Sequence, residues 1–282
     1  METTARWIVG VDGSSPSHHA LRWALAQATN RAVAITALQC QVPLEGWPDH
    51  PRPDEEIGAL ERRLDELQAS IGPAASGLRT LAVRGIPVPV LLDHAETAEL
   101  LVLGNRGLGG FQRLLLGSVG LQAATHSPIP VVIVPPSARL DGALDHVMVG
   151  VDASPNSEAA LRWACSFARE TTTIEAVGAW EPSVFTARSG AERLEELSAS
   201  WHETLDRFID DVLASSPSSA GMVTRSFDYS KPAEALSRHG AETDLLVVGA
   251  RGRGTIASAI LGSVSNTLLH RPPCPIVIVP GP

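Results

Sequence analysis

The chain has 282 residues, with 22 Lys or Arg against 31 Asp or Glu, so its formal net charge is −9. At roughly 150 residues per domain this length predicts two domains, and so acidic a chain disfavours sequence-independent binding to nucleic acid. No apolar run approaches the ~18 residues of a membrane span, and the first residues lack the basic and apolar segments of a signal peptide. Cys40, Cys165 and Cys274 lie far apart, which excludes a disulfide framework. The composition predicts a soluble, cytoplasmic protein.

An internal repeat divides the chain. Ile8–Asp12 (IVGVD) returns 140 residues later as Met148–Asp152 (MVGVD), and Ala20–Ala24 returns letter for letter as Ala160–Ala164. This period is too long for a solenoid repeat, so the repeat indicates a duplicated domain. The predicted domains are residues 1–138 and residues 144–282.

Each copy reads as alternating strands and helices. In the first copy they are, in chain order, a strand at Trp7–Val11, a helix capped by Ser14 or Ser15, a strand at Ile35–Cys40, a helix at Asp54–Ile71, a strand at Leu78–Arg84, a helix at Pro87–His94, a strand at Leu100–Leu103, a helix from Ser118, and a strand at Val131–Val134. Short, wholly apolar strands indicate a parallel sheet covered by helices on both faces. The prediction is therefore two tandem doubly wound, Rossmann-like α/β domains, each with a five-stranded parallel sheet. Such sheets bind ligands where the strand order reverses.

A glycine-rich loop follows the fourth strand of each copy. Its glycines, with identical spacing, are Gly104, Gly107 and Gly117 in the first copy and Gly249, Gly252 and Gly262 in the second. Such glycines let backbone N–H groups approach an anion, and Ser118 and Ser263 begin a helix whose N-terminus attracts phosphate. Asp12 and Asp152 end the first strand at the same sheet edge, where a carboxylate can accept ribose hydroxyls or hold a metal that bridges phosphates. Because the glycine loop and its Asp occur in both copies, we favour a nucleotide-binding site in each copy over the alternative, in which the glycines only permit a tight turn and bind no ligand.

These motifs resemble the universal stress proteins, in their tandem, ATP-binding form. The resemblance rests on Gly10–Ser14 and Gly150–Ser154, each with its glycine loop. It implies an adenine nucleotide alpha hydrolase-like fold and ATP as the cofactor, with its phosphates on the glycine loops and adenine against the ends of the first two strands. Asp12 and Asp152 then lie near the ribose or a magnesium ion. The implied cofactor-binding positions are Val11, Asp12, Gly13, Cys40, Gly104, Gly107, Gly117, Ser118, Val119, Val151, Asp152, Ala153, Ala179, Gly249, Gly252, Gly262, Ser263, Val264 and Ser265.

Two positions depart from strict duplication. Gly120 stands where the second copy has Ser265, a position at which a small polar residue is usual, so the first site is expected to lack one phosphate contact. Ala153 replaces the equivalent of Gly13, which is expected to tighten the entrance of the second site. Arg106 and Arg251 lie inside the loops and either reach a terminal phosphate or remain solvated.

Three functions fit this sequence. The leading hypothesis is an ATP-binding regulator of the stress response. It is expected to have a protein partner, whose identity the sequence does not indicate, and no catalytic residues. The alternatives are a slow ATPase, or another adenine-nucleotide-using enzyme of this fold, and a structural module with empty loops. The apolar closing strands, Val131–Val134 and Ile276–Val279, predict pairing of the two domains within one chain, or a homodimer of single domains. No membrane or nucleic-acid partner is expected.

Overall fold

A computed structural model describes residues 5–29, 31–42, 53–72, 77–107, 116–140, 143–182, 190–216, 222–253 and 260–282. The chain forms two compact units, residues 1–143 and 144–282. Across these described ranges, no helix combines the length and apolar character needed to cross a membrane.

The first unit is a doubly wound sheet with helices on both faces. Its elements are β1 (Ala5–Val11), α1 (Ser15–Ala28), β2 (Val33–Gln41), α2 (Pro53–Ile71), β3 (Leu78–Arg84), α3 (Pro87–Ala95), β4 (Leu100–Gly104), α4 (Ser118–His126) and β5 (Val131–Val134). The strands are parallel in the order β3-β2-β1-β4-β5. The order reverses between β1 and β4, which confirms the predicted fold and places its switch point there.

The second unit repeats this architecture. Its elements are β6 (His146–Val151), α5 (Pro155–Phe167), β7 (Thr173–Ala179), α6 (Ala191–Ala214), β8 (Val223–Asp228), α7 (Pro232–His239), a 3-10 turn (Gly240–Glu242), β9 (Leu245–Gly249), α8 (Ser263–His270) and β10 (Ile276–Val279). The parallel order is β8-β7-β6-β9-β10, so the switch point lies between β6 and β9.

The central strands form the core of each unit. Val9 and Val102 of the first unit and Val149 and Val247 of the second are completely buried. Helices cover both faces of each sheet, so the side chains on both sides of the central strands are buried. These strands are therefore apolar throughout and do not alternate between apolar and polar residues. The helix α2 buries Leu60, Leu64 and Leu67 on one side, as its periodicity predicts.

Serine caps fix the start of the first helix in each unit. The Ser14 hydroxyl accepts a hydrogen bond from the Ser17 N–H at 3.3 Å, and the Ser154 hydroxyl accepts one from the Ser157 N–H at 3.2 Å. A proline occupies the first turn of each helix, where its missing N–H costs nothing. Of the two predicted caps for α1, Ser14 is therefore the one that forms.

The residue before each cap lies in the left-handed region. Gly13 has φ +85° and Ala153 has φ +57°. An alanine there carries a steric cost of about 1–2 kcal/mol that glycine avoids. We therefore expect Ala153→Gly to raise the free energy of unfolding by about 1 kcal/mol, and Gly13→Ala to lower it by a similar amount. Urea denaturation of the full chain measures both, and a destabilising Ala153→Gly would show that Ala153 is not strained.

Candidate functional site

The candidate site of each unit lies at the carboxyl ends of its two central strands. In the first unit Gly10 of β1 pairs with Leu103 of β4, so the residues after both strands emerge side by side. In the second unit Val149 of β6 pairs with Val247 of β9 in the same register. Open α/β sheets bind ligands at this switch point because the loops on either side diverge and leave a crevice.

The Asp12 carboxylate contacts the glycine loop in the first unit. Its Oδ1 accepts the Ser14 N–H at 2.9 Å, which orients the side chain along the sheet edge. Its Oδ2 lies so close to Gly107 that a Cβ added to that glycine would overlap it. The structure thus brings together two predicted site residues that are 95 positions apart in the sequence.

The second unit repeats this contact. Asp152 accepts the Ser154 N–H at 3.0 Å through Oδ1 and the Arg253 N–H at 3.2 Å through Oδ2. A Cβ on Gly252 would lie 2.6 Å from Oδ2. The carboxylate therefore joins the turn before α5 to the glycine loop after β9.

Both glycine loops return to the strand from which they start. The Gly117 N–H donates to the Asn105 carbonyl at 2.9 Å, and the Gly262 N–H donates to the Ala250 carbonyl at 2.8 Å. Each closing glycine is the N-cap of the next helix and offers no capping side chain. The first-turn N–H groups of α4 and α8, which begin at Ser118–Val119 and Ser263–Val264, therefore receive no hydrogen bond from an N-cap side chain. The loop centres, residues 108–115 and 254–259, lie outside the described ranges.

The first glycine of each loop has a packing role. A Cβ on Gly104 would lie 2.7 Å from the backbone C and O of Pro16 in α1. A Cβ on Gly249 would lie 2.7 Å from the corresponding backbone atoms of Asn156 in α5. Close contact between strand and helix explains these glycines without a ligand, and their contact with a cofactor stays a prediction.

The structure gives Ser265 a partner inside the protein. Its hydroxyl donates to the Gly249 carbonyl at 2.7 Å, and the residue is only 3% exposed. A Cβ on its counterpart, Gly120, would lie 3.3 Å from Leu116 Cδ1 and 3.4 Å from Ile133 Cδ1, so a larger residue there would fit tightly. The hydroxyl of Ser265 holds α8 against the end of β9. Its contact with a phosphate stays a prediction.

The predicted adenine contacts lie at matching positions in the two sheets. Val11 pairs with Gln39, and Val151 pairs with Gly178, so Cys40 and Ala179 are equivalent. Burial raises the pKa of the Cys40 thiol to about 11. The thiol is therefore neutral near pH 7 and suits apolar contact better than nucleophilic chemistry.

Two further residues of the first loop carry buried polar atoms. Asn105 is 8% exposed, and its side-chain Oδ1 has no hydrogen-bond partner among the described residues. The same holds, within those ranges, for the Nε of Arg106. A buried acceptor and a buried donor without partners are costly unless a ligand or water satisfies them. Sequence reasoning noted Arg106 but missed Asn105, whose only signal is a polar residue directly after an apolar strand.

Comparisons with known proteins agree with this fold. Residues 5–135 and 143–280 each match the universal stress protein family. A universal stress protein of Mycobacterium tuberculosis is 30% identical over 297 residues, which cover 96% of this chain and 95% of that protein. One from Mycolicibacterium smegmatis is 28% identical over 298 residues, 96% of each.

A solved structure is similar over the same length. The crystal structure of a universal stress protein from Archaeoglobus fulgidus superposes with a TM-score of 0.70 over 98% of both chains, at 21% identity. At that identity the likeness supports the fold. The two family matches and the relative that is 30% identical show that this chain belongs to the universal stress protein family and carries the family's domain twice in tandem.

Proposed function

We propose that this chain is an ATP-binding universal stress protein that acts as a nucleotide-dependent regulator in the stress response. The observation that carries the proposal is the contact of Asp12 with Gly107, repeated by Asp152 with Gly252. In both units a carboxylate and a glycine loop meet at the switch point of a doubly wound sheet. A nucleotide needs this combination, an acceptor for hydroxyls or a metal beside N–H donors for phosphates.

The phosphate end of the nucleotide fits the start of α4 and α8. Gly117 and Gly262 present no side chain there, and the N–H groups of the following residues are the donors that an anion seeks at a helix N-terminus. In the first unit the buried Nε of Arg106 adds a donor that lacks an acceptor among the described residues. This unsatisfied donor is what a bound phosphate oxygen would satisfy.

The carboxylates suit the ribose or a magnesium ion. One carboxylate oxygen of Asp12 and of Asp152 accepts a hydrogen bond from a backbone N–H of the turn. This hydrogen bond orients the other oxygen toward the loop. Magnesium bound with ATP usually takes one or two carboxylates together with phosphate oxygens, and it neutralises phosphate charge. The residues therefore fit this ion as one part of a nucleotide complex.

The base end of the nucleotide fits the neighbouring strand. Val11 and Val151 are 5% and 4% exposed, and Cys40 and Ala179 lie one strand away. These small, uncharged side chains form an apolar wall on which an adenine ring can rest.

Calorimetry with ATP tests the proposal. We expect the full chain to bind two nucleotides, and the variant Gly117→Ala, Ser118→Ala, Gly262→Ala, Ser263→Ala to bind none, because the methyl groups added at Gly117 and Gly262 obstruct both helix N-termini and the hydroxyls of Ser118 and Ser263 are lost. The matched control is Thr125→Ala with His270→Ala, a pair of equivalent positions in the last turns of the same two helices. An unchanged stoichiometry in the fourfold variant would contradict the proposal.

A turnover assay separates the regulator from an enzyme. If the chain is a regulator, ATP incubated with it and magnesium should stay unhydrolysed for much longer than bound ATP takes to dissociate. Phosphate release that the fourfold variant abolishes would instead identify the chain as an ATPase.

A further inference from the structure

Five aromatic or imidazole rings meet beside the second site, and we call them the aromatic cluster. Trp180 directly follows β7, Phe227 and Tyr229 lie at the end of β8, and Trp201 and His202 belong to α6. The contacting pairs have ring centroids 4.2–6.4 Å apart. The cluster includes the only tyrosine of the chain and two of its six tryptophans, so it is a marked concentration for a sequence with 4% aromatic residues.

The inner part of the cluster anchors α6 to the sheet. Trp201 lies over Gly178 of β7, where an added Cβ would be 3.2 Å from its ring. Phe227 is the register partner of Gly178 and meets Trp201 edge-on, with centroids 5.6 Å apart at 70°. Both rings are half-buried, and their packing against the sheet explains their presence.

The outer part of the cluster contains its most exposed ring, that of Tyr229. Tyr229 is 51% exposed, and Trp180, in edge contact with it at a centroid distance of 6.4 Å, is half-buried. The Tyr229 hydroxyl is hydrogen-bonded to His202 Nε2 at 2.9 Å and to the Ser198 hydroxyl. These contacts fix the orientation of the Tyr229 ring before any ligand binds.

The spacing of the rings limits what they can recognise. The centroids of Trp180, Trp201 and Tyr229 are 6.0–6.4 Å apart in every pair. Rings at this distance touch one another, so no cation fits between them. Trp180 and Tyr229 meet at 63°, so a flat ring that stacks on the face of one lies against the edge of the other.

Strand register places Trp180 at the edge of the second candidate site. Val151 pairs with Gly178, so Asp152 is level with Ala179 and Ala153 is level with Trp180. The Trp180 N–H continues the sheet by donating to the Asp228 carbonyl at 2.9 Å. Trp180 therefore follows directly after the residue predicted to contact adenine.

The matching positions of the first unit carry no aromatic ring. Val11 pairs with Gln39, so Gln41 occupies the position of Trp180, and the register partner of Gln41 is Arg84, which matches Tyr229. The two sites thus share their carboxylate and glycine loop but differ in the side chains beside the base position.

We propose that Trp180 and Tyr229 form a stacking surface for the heteroaromatic base of the nucleotide at the second site. This inference rests on the proposed function and adds a specificity element to it. Base stacking on an aromatic side chain contributes substantially to affinity, and rings that are already ordered lose little entropy on binding. The second site should therefore bind ATP more tightly than the first.

The test uses the full chain with Gly117→Ala and Ser118→Ala, so that only the second site is measured. Calorimetry compares ATP with inorganic tripolyphosphate, which has the phosphates but no base. Trp180→Gln, which introduces the side chain found at Gln41, should weaken ATP binding by about tenfold and leave tripolyphosphate unchanged. Trp180→Tyr should retain most of the affinity, and Trp163→Phe, in the second half of α5, is the aromatic control.

The outcomes distinguish this inference from the proposed function. If the chain without substitutions binds no ATP, the proposed function fails and the inference fails with it. If that chain binds ATP but the variant with Gly117→Ala and Ser118→Ala binds none, the inference about the second site is overturned while the first site stands. If ATP binds and Trp180→Gln leaves its affinity unchanged, or weakens tripolyphosphate equally, the stacking surface is overturned while the nucleotide site stands. Should Trp180→Gln fail to fold, Tyr229→Gln is the second variant, since the exposed ring of Tyr229 can be replaced by a neutral side chain without opening the core. It should weaken ATP severalfold and leave tripolyphosphate binding unchanged.

Discussion

Gly104→Ala should destabilise the first unit by about 3 kcal/mol, because the packing between strand and helix leaves no space for the new methyl group. Its Cβ would lie 2.7 Å from the backbone C and O of Pro16, and those atoms move only if α1 moves away from β4. Gly249→Ala should have the same effect in the second unit through Asn156. Urea denaturation monitored by circular dichroism measures both losses.

Gly107→Ala provides the contrast within the same loop. The obstacle there is the end of the Asp12 side chain, which can rotate away, so we expect a loss of stability of only about 1 kcal/mol. Rotation removes the carboxylate from its place beside the loop, and ATP affinity at the first site should fall at least tenfold, the effect of losing one charge-assisted contact. Equal loss of stability in Gly104→Ala and Gly107→Ala would contradict this division between a packing glycine and a binding glycine.

The fold was predictable from sequence because the strands are short and buried on both faces. An uninterrupted apolar run such as Val131–Val134 has no other place in a small α/β domain, and the strand has those bounds in the structure. The first strand begins at Ala5, two residues before the prediction, because Ala5 and Arg6 pair with β2 although they are only half-buried. Hydrogen bonding extends a strand beyond its hydrophobic signal.

The site was only partly predictable, since its decisive contacts join distant segments. The pairing of Asp12 with the loop followed from strand order, but the position of its Oδ2 against Gly107 depends on the turn geometry set by the Ser14 N–H. The burial of the Asn105 side chain and the exposed face of Tyr229 are products of tertiary packing. No local pattern distinguishes such residues from ordinary loop residues.

Asp152→Asn is expected to weaken ATP binding at the second site at least tenfold and to remove its dependence on magnesium. The carboxylate accepts two backbone N–H groups, one through each oxygen, from Ser154 and Arg253. An asparagine has one oxygen, so its amide N–H₂ must face one of these donors and leave it without an acceptor, which typically costs about 1–3 kcal/mol. The neutral amide oxygen is also a poorer magnesium ligand than a carboxylate.

Titrations of ATP at several magnesium concentrations, in the chain with Gly117→Ala and Ser118→Ala, separate the two roles of this carboxylate. Asp145→Asn is the control, because it makes the same change of charge at the opposite end of the same strand. If affinity falls while magnesium still strengthens binding, Asp152 serves the ribose and the loop, and the ion is held by phosphate alone. If the ATP affinity and the magnesium dependence of Asp152→Asn both match those of the control, the carboxylate has no part in binding. Its contact with Gly252 then only stabilises the fold.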